Sequence, residues 1–443
     1  MNFHLPRNRF AIFNACLATG WLLFLALLFE FYLGRTKRVI NPLSIPFWTL
    51  LLGLIFYLIF LYFLLERSVL LRRIERQVVL PIFAVAVAAE IFLQFSASAI
   101  GPVPDPYLQK HAPNLALEIR VPAEAKMPGV ARDGRFSTDA EGFRTTTPVD
   151  YRHKPAGRRR VFLVGGSTTE QLFLDDHQTT GAILERLLDD RFRSAGLRFE
   201  VINTGKSGLR SSDHAYMAEH IIADLQPDYV AVLLGVNDLN TFLRSSGATE
   251  QDPAFYYGRR WSDIGYYLTR SEIIRRGYYG LALYRGIKAD DVIDLTNPGY
   301  EEKRAVRRAL PVRPVPAELK RTARYFNRNL DALAALASEA GIPMILMTQP
   351  HLYQADLSDD LDQLLSVTPG GKMDFRFSNA EMAEALERFN DAVRSLDGTG
   401  TVRVVDLAKL LPADTTVFYD DVHFNNAGAA EVAKLLFDVM IDL

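Results

Sequence analysis

Arg160-Val161-Phe162-Leu163-Val164-Gly165-Gly166-Ser167-Thr168-Thr169 decides the architecture of this chain. Four consecutive apolar residues end on two glycines and a group of hydroxyl side chains. A run that short, stopped that abruptly, predicts a strand buried on both faces and then a turn into a helix. The helix follows near 182–192, where Ile183, Leu184, Leu187 and Leu188 share a face.

The same rhythm continues toward the C-terminus. Strands are predicted at 199–202, 229–234, 343–347 and 402–405, and helices at 213–225, 318–340 and 427–440. Five short apolar strands separated by helices imply an α/β fold, a parallel sheet with helices on both faces. Residues 241–315 break the pattern. They contain no clear strand but are dense in aromatics, among them Trp261, Tyr266 and Tyr267, and they read as an insertion with helices of its own.

In an open parallel sheet, ligands bind beyond the carboxyl ends of the strands. Those ends here are Gly165-Gly166-Ser167, Asn203-Thr204-Gly205-Lys206-Ser207-Gly208 and Gly235-Val236-Asn237-Asp238, with Asp420-Asp421-Val422-His423 following the fifth strand. Attack on an acyl carbon needs a hydroxyl, a base, a group to orient the base and donors for the oxyanion. Ser167 can supply the hydroxyl, His423 the base and Asp420 the orienting carboxylate. The backbone N–H groups of Ser167 and Gly208 and the amide of Asn237 can receive the oxyanion.

Singly, these residues have plainer readings. Ser167 can cap a helix, Asn237 can make an Asx turn, and Asp238 reads as structural. His351, after the fourth strand, and His214, after Gly208, are alternative site residues, best taken as substrate contacts. Asp175-Asp176-His177 lacks metal-ligand spacing. No metal or other cofactor is expected.

The four blocks GGS, NTGKSG, GVND and DDVH stand in the order of the nucleophile, oxyanion-glycine, oxyanion-asparagine and D-x-x-H blocks of the SGNH (GDSL-like) hydrolases. From about Arg160 onward, the insertion apart, the chain resembles that family. The resemblance implies a flavodoxin-like three-layer sandwich, with Ser167, His423 and Asp420 as a catalytic triad and Ser167, Gly208 and Asn237 as the oxyanion hole. One departure is Gly166, which replaces the family's usual acidic residue and bears on local geometry or specificity. The implied activity is serine-esterase hydrolysis of O-acyl, chiefly acetyl, groups on a cell-surface or periplasmic glycan. Trp261 and Arg260 in the insertion are further candidate substrate contacts. Lysophospholipid or thioester cleavage, acyl transfer, and a non-catalytic glycan-assembly role are the alternatives.

Bulk properties narrow the partners. The 443-residue chain carries a formal net charge of −2 and no basic stripe interleaved with aromatics, which excludes nucleic acid as an expected partner. The single cysteine, Cys16, forms no intrachain disulfide and leaves the compartment open. Residues 1–99 hold much of the hydrophobic content, in apolar spans at about 11–33, 46–66 and 78–97, the last containing Glu90. Each is long enough to cross a hydrocarbon core as a helix. Arg7, Arg9, Arg67, Arg72, Arg73 and Arg76 fall on one side of three crossings, against Arg35, Lys37, Arg38 and Lys110 on the other. The bias places the N-terminus in the cytoplasm and everything after the third span outside it, with the lipid bilayer as a partner. Residues 100–155 read as a linker carrying a hairpin turn near Glu141-Gly142, and 156–443 as the hydrolase domain.

Overall fold

The structure, a computed structural model, describes residues 110–111, 114–251, 255, 299–367 and 375–442, together with Pro81, Val85, Ala88, Ala89, Glu90 and Phe92. By its internal contacts the chain forms two units, 1–102 with 261–278 and 103–260 with 279–443. The six described residues of the first unit are helical. The spans at 11–33 and 46–66, and most of 78–97, lie outside the described residues. No helix among the described residues is long and apolar enough to cross a membrane.

The second unit opens with an antiparallel pair, β1 (Ala116–Arg120) and β2 (Asp133–Ser137). The central fold then runs β3 (Arg158–Gly165), α1 (Ser167–Glu170), α2 (Thr180–Phe192), β4 (Arg198–Asn203), α3 (Ser211–His220), β5 (Tyr229–Leu233) and α4 (Val236–Arg244). After 256–298 come α5 (Tyr300–Ala309), β6 (Val312–Arg313), α6 (Arg324–Ala340), β7 (Met344–Met347), α7 (Asp359–Asp362) and β8 (Arg376–Phe377). The chain continues through α8 (Asn379–Arg394), β9 (Val402–Val405), α9 (Leu407–Leu410) and α10 (Asn426–Met440).

The five predicted strands form one parallel sheet in the order β4-β3-β5-β7-β9. Ranked by chain position this is 2-1-3-4-5, the flavodoxin-like order. β3 lies between β4 and β5, so its residues from Arg160 to Gly165 are buried on both sides, which is why the strand reads as an unbroken apolar run. The chain leaves β3 in one direction toward β4 and returns past it to β5. Right-handed crossovers then put α2 and α3 on opposite faces. α10 packs beside α2, and α6 packs beside α3 and α8. The chain reverses direction between β3 and β5, and at such a switch point a crevice opens beyond the strand ends.

Two details depart from expectation. Gly142, with φ of +80°, does make a turn, but it closes a short loop in which the Asp139 carboxylate accepts from the N–H groups of Glu141 and Phe143. The strand before it, β2, pairs instead with β1, across a connection containing Pro122 and Pro128. This segment is also more than a linker. Ile119, Val121, Met127 and Phe136 form a second core with Phe173, Leu174, Tyr300 and Tyr419, and so cover the region behind Ser167 and Asp420.

Candidate active site

Each cluster stands where its strand ends. Ser167 opens α1 directly after β3, Gly208 follows β4, and Asn237 lies in the first turn of α4 after β5. Asp420 and His423 occupy the loop before α10, and a bridge between Phe418 and Phe424 closes that loop into a tight turn. Ser167 and Asn237 therefore stand on the two sides of the switch-point crevice.

Three of the predicted residues form one hydrogen-bonded chain. His423 Nε2 lies 2.7 Å from Ser167 Oγ, and His423 Nδ1 lies 2.8 Å from both carboxylate oxygens of Asp420. The backbone N–H groups of Val422 and His423 donate to Asp420 Oδ1 at 3.1 and 2.9 Å, fixing the carboxylate. Asp420 is fully buried, whereas Ser167, His423 and Asn237 are half-buried and Gly208 is exposed. The reacting edge is thus open and its support is dry. Burial raises the Asp420 pKa, but the His423 charge and hydrogen bonds outweigh this and hold it below the ordinary value. Burial lowers that of His423, and the charge and hydrogen bond of Asp420 more than reverse it, so His423 sits above the ordinary histidine value.

The oxyanion side is equally explicit. The N–H groups of Ser167 and Gly208 are not engaged by other groups of the described residues. Gly208 has φ of +84°, a conformation that favours glycine. Asn237 Nδ2 donates one hydrogen to Leu209 O at 2.8 Å, which aims its amide and leaves the second hydrogen free. A Cβ on Gly166 would stand 2.4 Å from that nitrogen, so in this chain glycine at 166 is what lets the amide come in.

Asp238 is structural, as its plain reading held. It is buried, accepts from Ser211 Oγ at 2.6 Å, and burial pushes its pKa up to about 6 despite those hydrogen bonds. His214 is buried, and burial together with the Arg210 charge pushes it down to about 3. A histidine so enclosed touches no substrate, which removes it from the candidates. His351 is half-buried beside Tyr353 and is lowered to about 4 by burial. It is not joined to the Ser167–His423–Asp420 chain. Asp175 caps a short turn by accepting from His177 N, and Asp176 pairs with Arg144 at 2.9 Å. No group of metal-binding side chains occurs among the described residues. Trp261 and Arg260 lie outside the described residues.

Several residues that support the site have roles that the sequence does not signal. Glu170, three positions after Ser167, is buried, hydrogen-bonds to Ser207 Oγ, and sits 3.1 Å from His111 Nε2. It therefore ties the α1 turn to the loop that presents Gly208. Asn203 does the same from the end of β4, donating to Thr169 O and accepting from Gly205 N. The Tyr419 ring lies flat on His423, with centroids 5.6 Å apart and planes at 11°. All three act through tertiary contacts, and only Asn203, the first residue of NTGKSG, stands in one of the four blocks.

With this geometry in place, comparison with known proteins is informative at the level of family. The profile of the GDSL-like Lipase/Acylhydrolase family matches residues 163–431, more than half of the chain. This chain belongs to that family and is an SGNH-type esterase, a hydrolase of ester bonds. No curated protein matches it. Solved structures similar to it include LAE5, an alpha/beta hydrolase enzyme from the metagenome of Lake Arreo, Spain, at 16% identity and TM-score 0.35, covering 65% of this chain and 97% of that one. An acetylxylan esterase, Axe2 from Geobacillus stearothermophilus, is 14% identical with TM-score 0.33, covering 63% of this chain and 93% of its own. The acetyl xylan esterase AlAXEase is 13% identical with TM-score 0.34, covering 63% and 98%.

Proposed function

We propose that this chain is a membrane-anchored serine esterase that removes acetyl groups from an extracytoplasmic glycan, with Ser167 as nucleophile. The observation that supports the chemistry most is the chain Ser167 Oγ–His423–Asp420 at 2.7 and 2.8 Å. His423 takes the hydroxyl proton as Ser167 Oγ bonds to the acyl carbon. The oxyanion is received by the N–H groups of Ser167 and Gly208 and by Asn237. Collapse of the tetrahedral intermediate releases the sugar alkoxide, protonated by His423. A water then gives its proton to His423, attacks the acyl-enzyme, and acetate leaves with Ser167 restored.

The substrate class rests on the composition of 241–315. Tyr and Trp residues stand there beside Arg259, Arg260, Arg275 and Arg276, and from 251 to 270 little Leu, Ile or Val is present. Aromatic faces suit sugar rings and guanidinium groups suit acidic substituents. A long acyl chain would need a continuous aliphatic lining. Across p-nitrophenyl esters of increasing length, activity is expected to be highest on acetyl and to fall steeply by octanoyl. A profile rising with chain length would instead establish lipolysis.

The anchor and its orientation rest on the three apolar spans and the arginine bias. A reporter active only outside the cytoplasm, fused after residue 443, is expected to be active. A silent C-terminal fusion with an active one in the 34–41 loop would put the domain on the cytoplasmic side and end the glycan reading.

A further inference from the structure

The loop that presents Gly208 is a turn, and its type bears on what it offers a substrate. Leu209 N donates to Lys206 O at 3.3 Å, which makes Lys206–Leu209 a hydrogen-bonded β-turn with Ser207 and Gly208 at its centre. Gly208 has φ of +84°, and Ser207 lies outside the positive-φ region. Those signs define a type II turn. Type I needs a negative φ at the third residue, and the mirror-image turns need a positive φ at the second. Types I and II differ almost wholly in the peptide between the central residues, which is rotated by about 150–170° while the ends of the turn stay in place. Rotation exchanges the Gly208 N–H for the Ser207 carbonyl, so one orientation gives an oxyanion a donor and the other meets it with an oxygen.

Both ends of this turn are tied. Lys206 N donates to Gly165 O at 3.2 Å and Lys206 Nζ to Lys110 O at 2.9 Å, while Leu209 O accepts from Asn237 Nδ2 at 2.8 Å. The central peptide makes no hydrogen bond of its own among the described residues, in keeping with an N–H held ready for a ligand. Its one tether is the hydroxyl beside it. Ser207 is exposed, yet its Oγ donates to Glu170 Oε2, and Glu170 is buried three residues after the nucleophile. The other carboxylate oxygen lies 3.1 Å from His111 Nε2, which is itself 3.3 Å from Gly205 O. A Cβ on Gly205 would stand 2.4 Å from Glu170 N, so the loop and α1 are in direct contact. A hydrogen bond to an ionised carboxylate is of the stronger kind. This one pins Ser207 at one end of the axis about which the central peptide turns.

We propose that Glu170 is a positioning residue for the oxyanion hole: through the Ser207 hydroxyl it holds the 207–208 peptide so that the Gly208 N–H meets the developing oxyanion. This rests on the reading of Ser167, Gly208 and Asn237 given above. It gives a task to a buried acid that takes no part in proton transfer. It also couples the helix that carries the nucleophile to the loop that carries the donor.

Ser207→Ala removes the tether without touching the core or any charge. An oxyanion donor acts in the transition state, so kcat is expected to fall by about tenfold to a hundredfold with KM unchanged. Affinity for phenylboronic acid, whose tetrahedral adduct on Ser167 puts an oxygen where the oxyanion forms, should fall by the same factor. Ser207→Thr restores the hydroxyl and is expected to recover most of both. Glu170→Gln also removes a charge that bears on His423, but that effect is common to both backgrounds of a double-mutant cycle and cancels. Because Glu170 acts through the hydroxyl, Glu170→Gln should weaken the wild type and add little on the Ser207→Ala background. Additive losses overturn the proposal. So does Ser207→Ala with wild-type kcat and boronate affinity, or with a raised KM alone.

Crystals of the full chain give a readout free of turnover. The 207–208 peptide is expected to take a second orientation in Ser207→Ala, and a single orientation matching the wild type overturns the proposal whatever the activity. A wild-type protein with this turn and tether that neither hydrolyses acetyl esters nor reacts with a fluorophosphonate would instead overturn the esterase reading of Ser167.

Discussion

Ser167→Ala is expected to leave a folded protein with essentially no turnover, a loss on the order of 10⁶ in kcat when a nucleophile of this kind is removed. Ser167 is half-buried at the mouth of the crevice, and its only side-chain hydrogen bond named above is the one to His423 at 2.7 Å. Deleting its oxygen opens no cavity in the core and orphans no buried group, so stability should hardly change. Asn237→Ala provides the graded comparison. It removes one of three oxyanion donors, which typically costs about 10²–10³ in rate, and it also frees Leu209 O. A fluorophosphonate probe should label wild type and fail on Ser167→Ala. Equal hydrolysis by wild type and Ser167→Ala would end the nucleophile assignment.

The largest effect on stability is expected from Arg144. This arginine is buried, with its guanidinium lying over the Phe136 ring at 4.5 Å. Its Nε donates to Asp176 Oδ1 at 2.9 Å, and its terminal nitrogens donate to the carbonyls of Glu170, Gln171, Leu174 and Arg135. One side chain thus satisfies the turn that leaves α1, the loop beyond it and the strand that covers them. Arg144→Ala takes the cation from the buried Asp176 carboxylate, which keeps only Ser137 N and Oγ, and removes a donor from four carbonyls at once, of which Gln171 O keeps Leu174 N. Breaking one partner of a buried pair costs about 3–5 kcal/mol, a large share of the roughly 5–15 kcal/mol that holds a domain folded. A fall in melting temperature on the order of 10 °C should accompany it. Because Glu170 and Gln171 follow Ser167 so closely, activity should fall before the domain melts. Arg144→Lys keeps the charge but not the fork, and should recover only part of the loss. A melting temperature within about 2 °C of wild type in Arg144→Ala would show that the network does not hold this region.

How far the sequence reveals this molecule depends on what each residue answers to. Four of the five sheet strands were legible because they are buried on both faces, so burial writes an apolar run that stops where the backbone must turn, and the fifth, β9, was legible from its valines although Arg403 is exposed. Ser167, Gly208, Asn237, Asp420 and His423 were legible because the chemistry needs them at strand ends, in chain order. Helix α8 was missed although its signals are present. Ser378 caps it and exchanges hydrogen bonds with Glu381, and Met382, Leu386, Phe389 and Val393 line its buried side. The partner of β2 was misread because a genuine turn at Gly142 stood closer in sequence than the true partner, β1. Glu170, Arg144 and Tyr300 belong to another category. Their partners lie far along the chain, and no local pattern encodes such a contact.

The hydrogen bond between Ser167 and His423 joins residues 256 positions apart, and this separation governs when the protein can first act. A ribosome adding about 5–20 residues per second delivers β3 and the nucleophile tens of seconds before the imidazole. During that interval the nascent polypeptide has a serine but no base, and Asn237 and Gly208 await a substrate that nothing can yet cleave. His423 is seated only when α10 emerges and lays Ala429, Val432, Ala433 and Leu436 into the core beside α2. Hydrolysis therefore cannot begin on a partly made chain, and a polypeptide released early would be inert toward esters inside the cell.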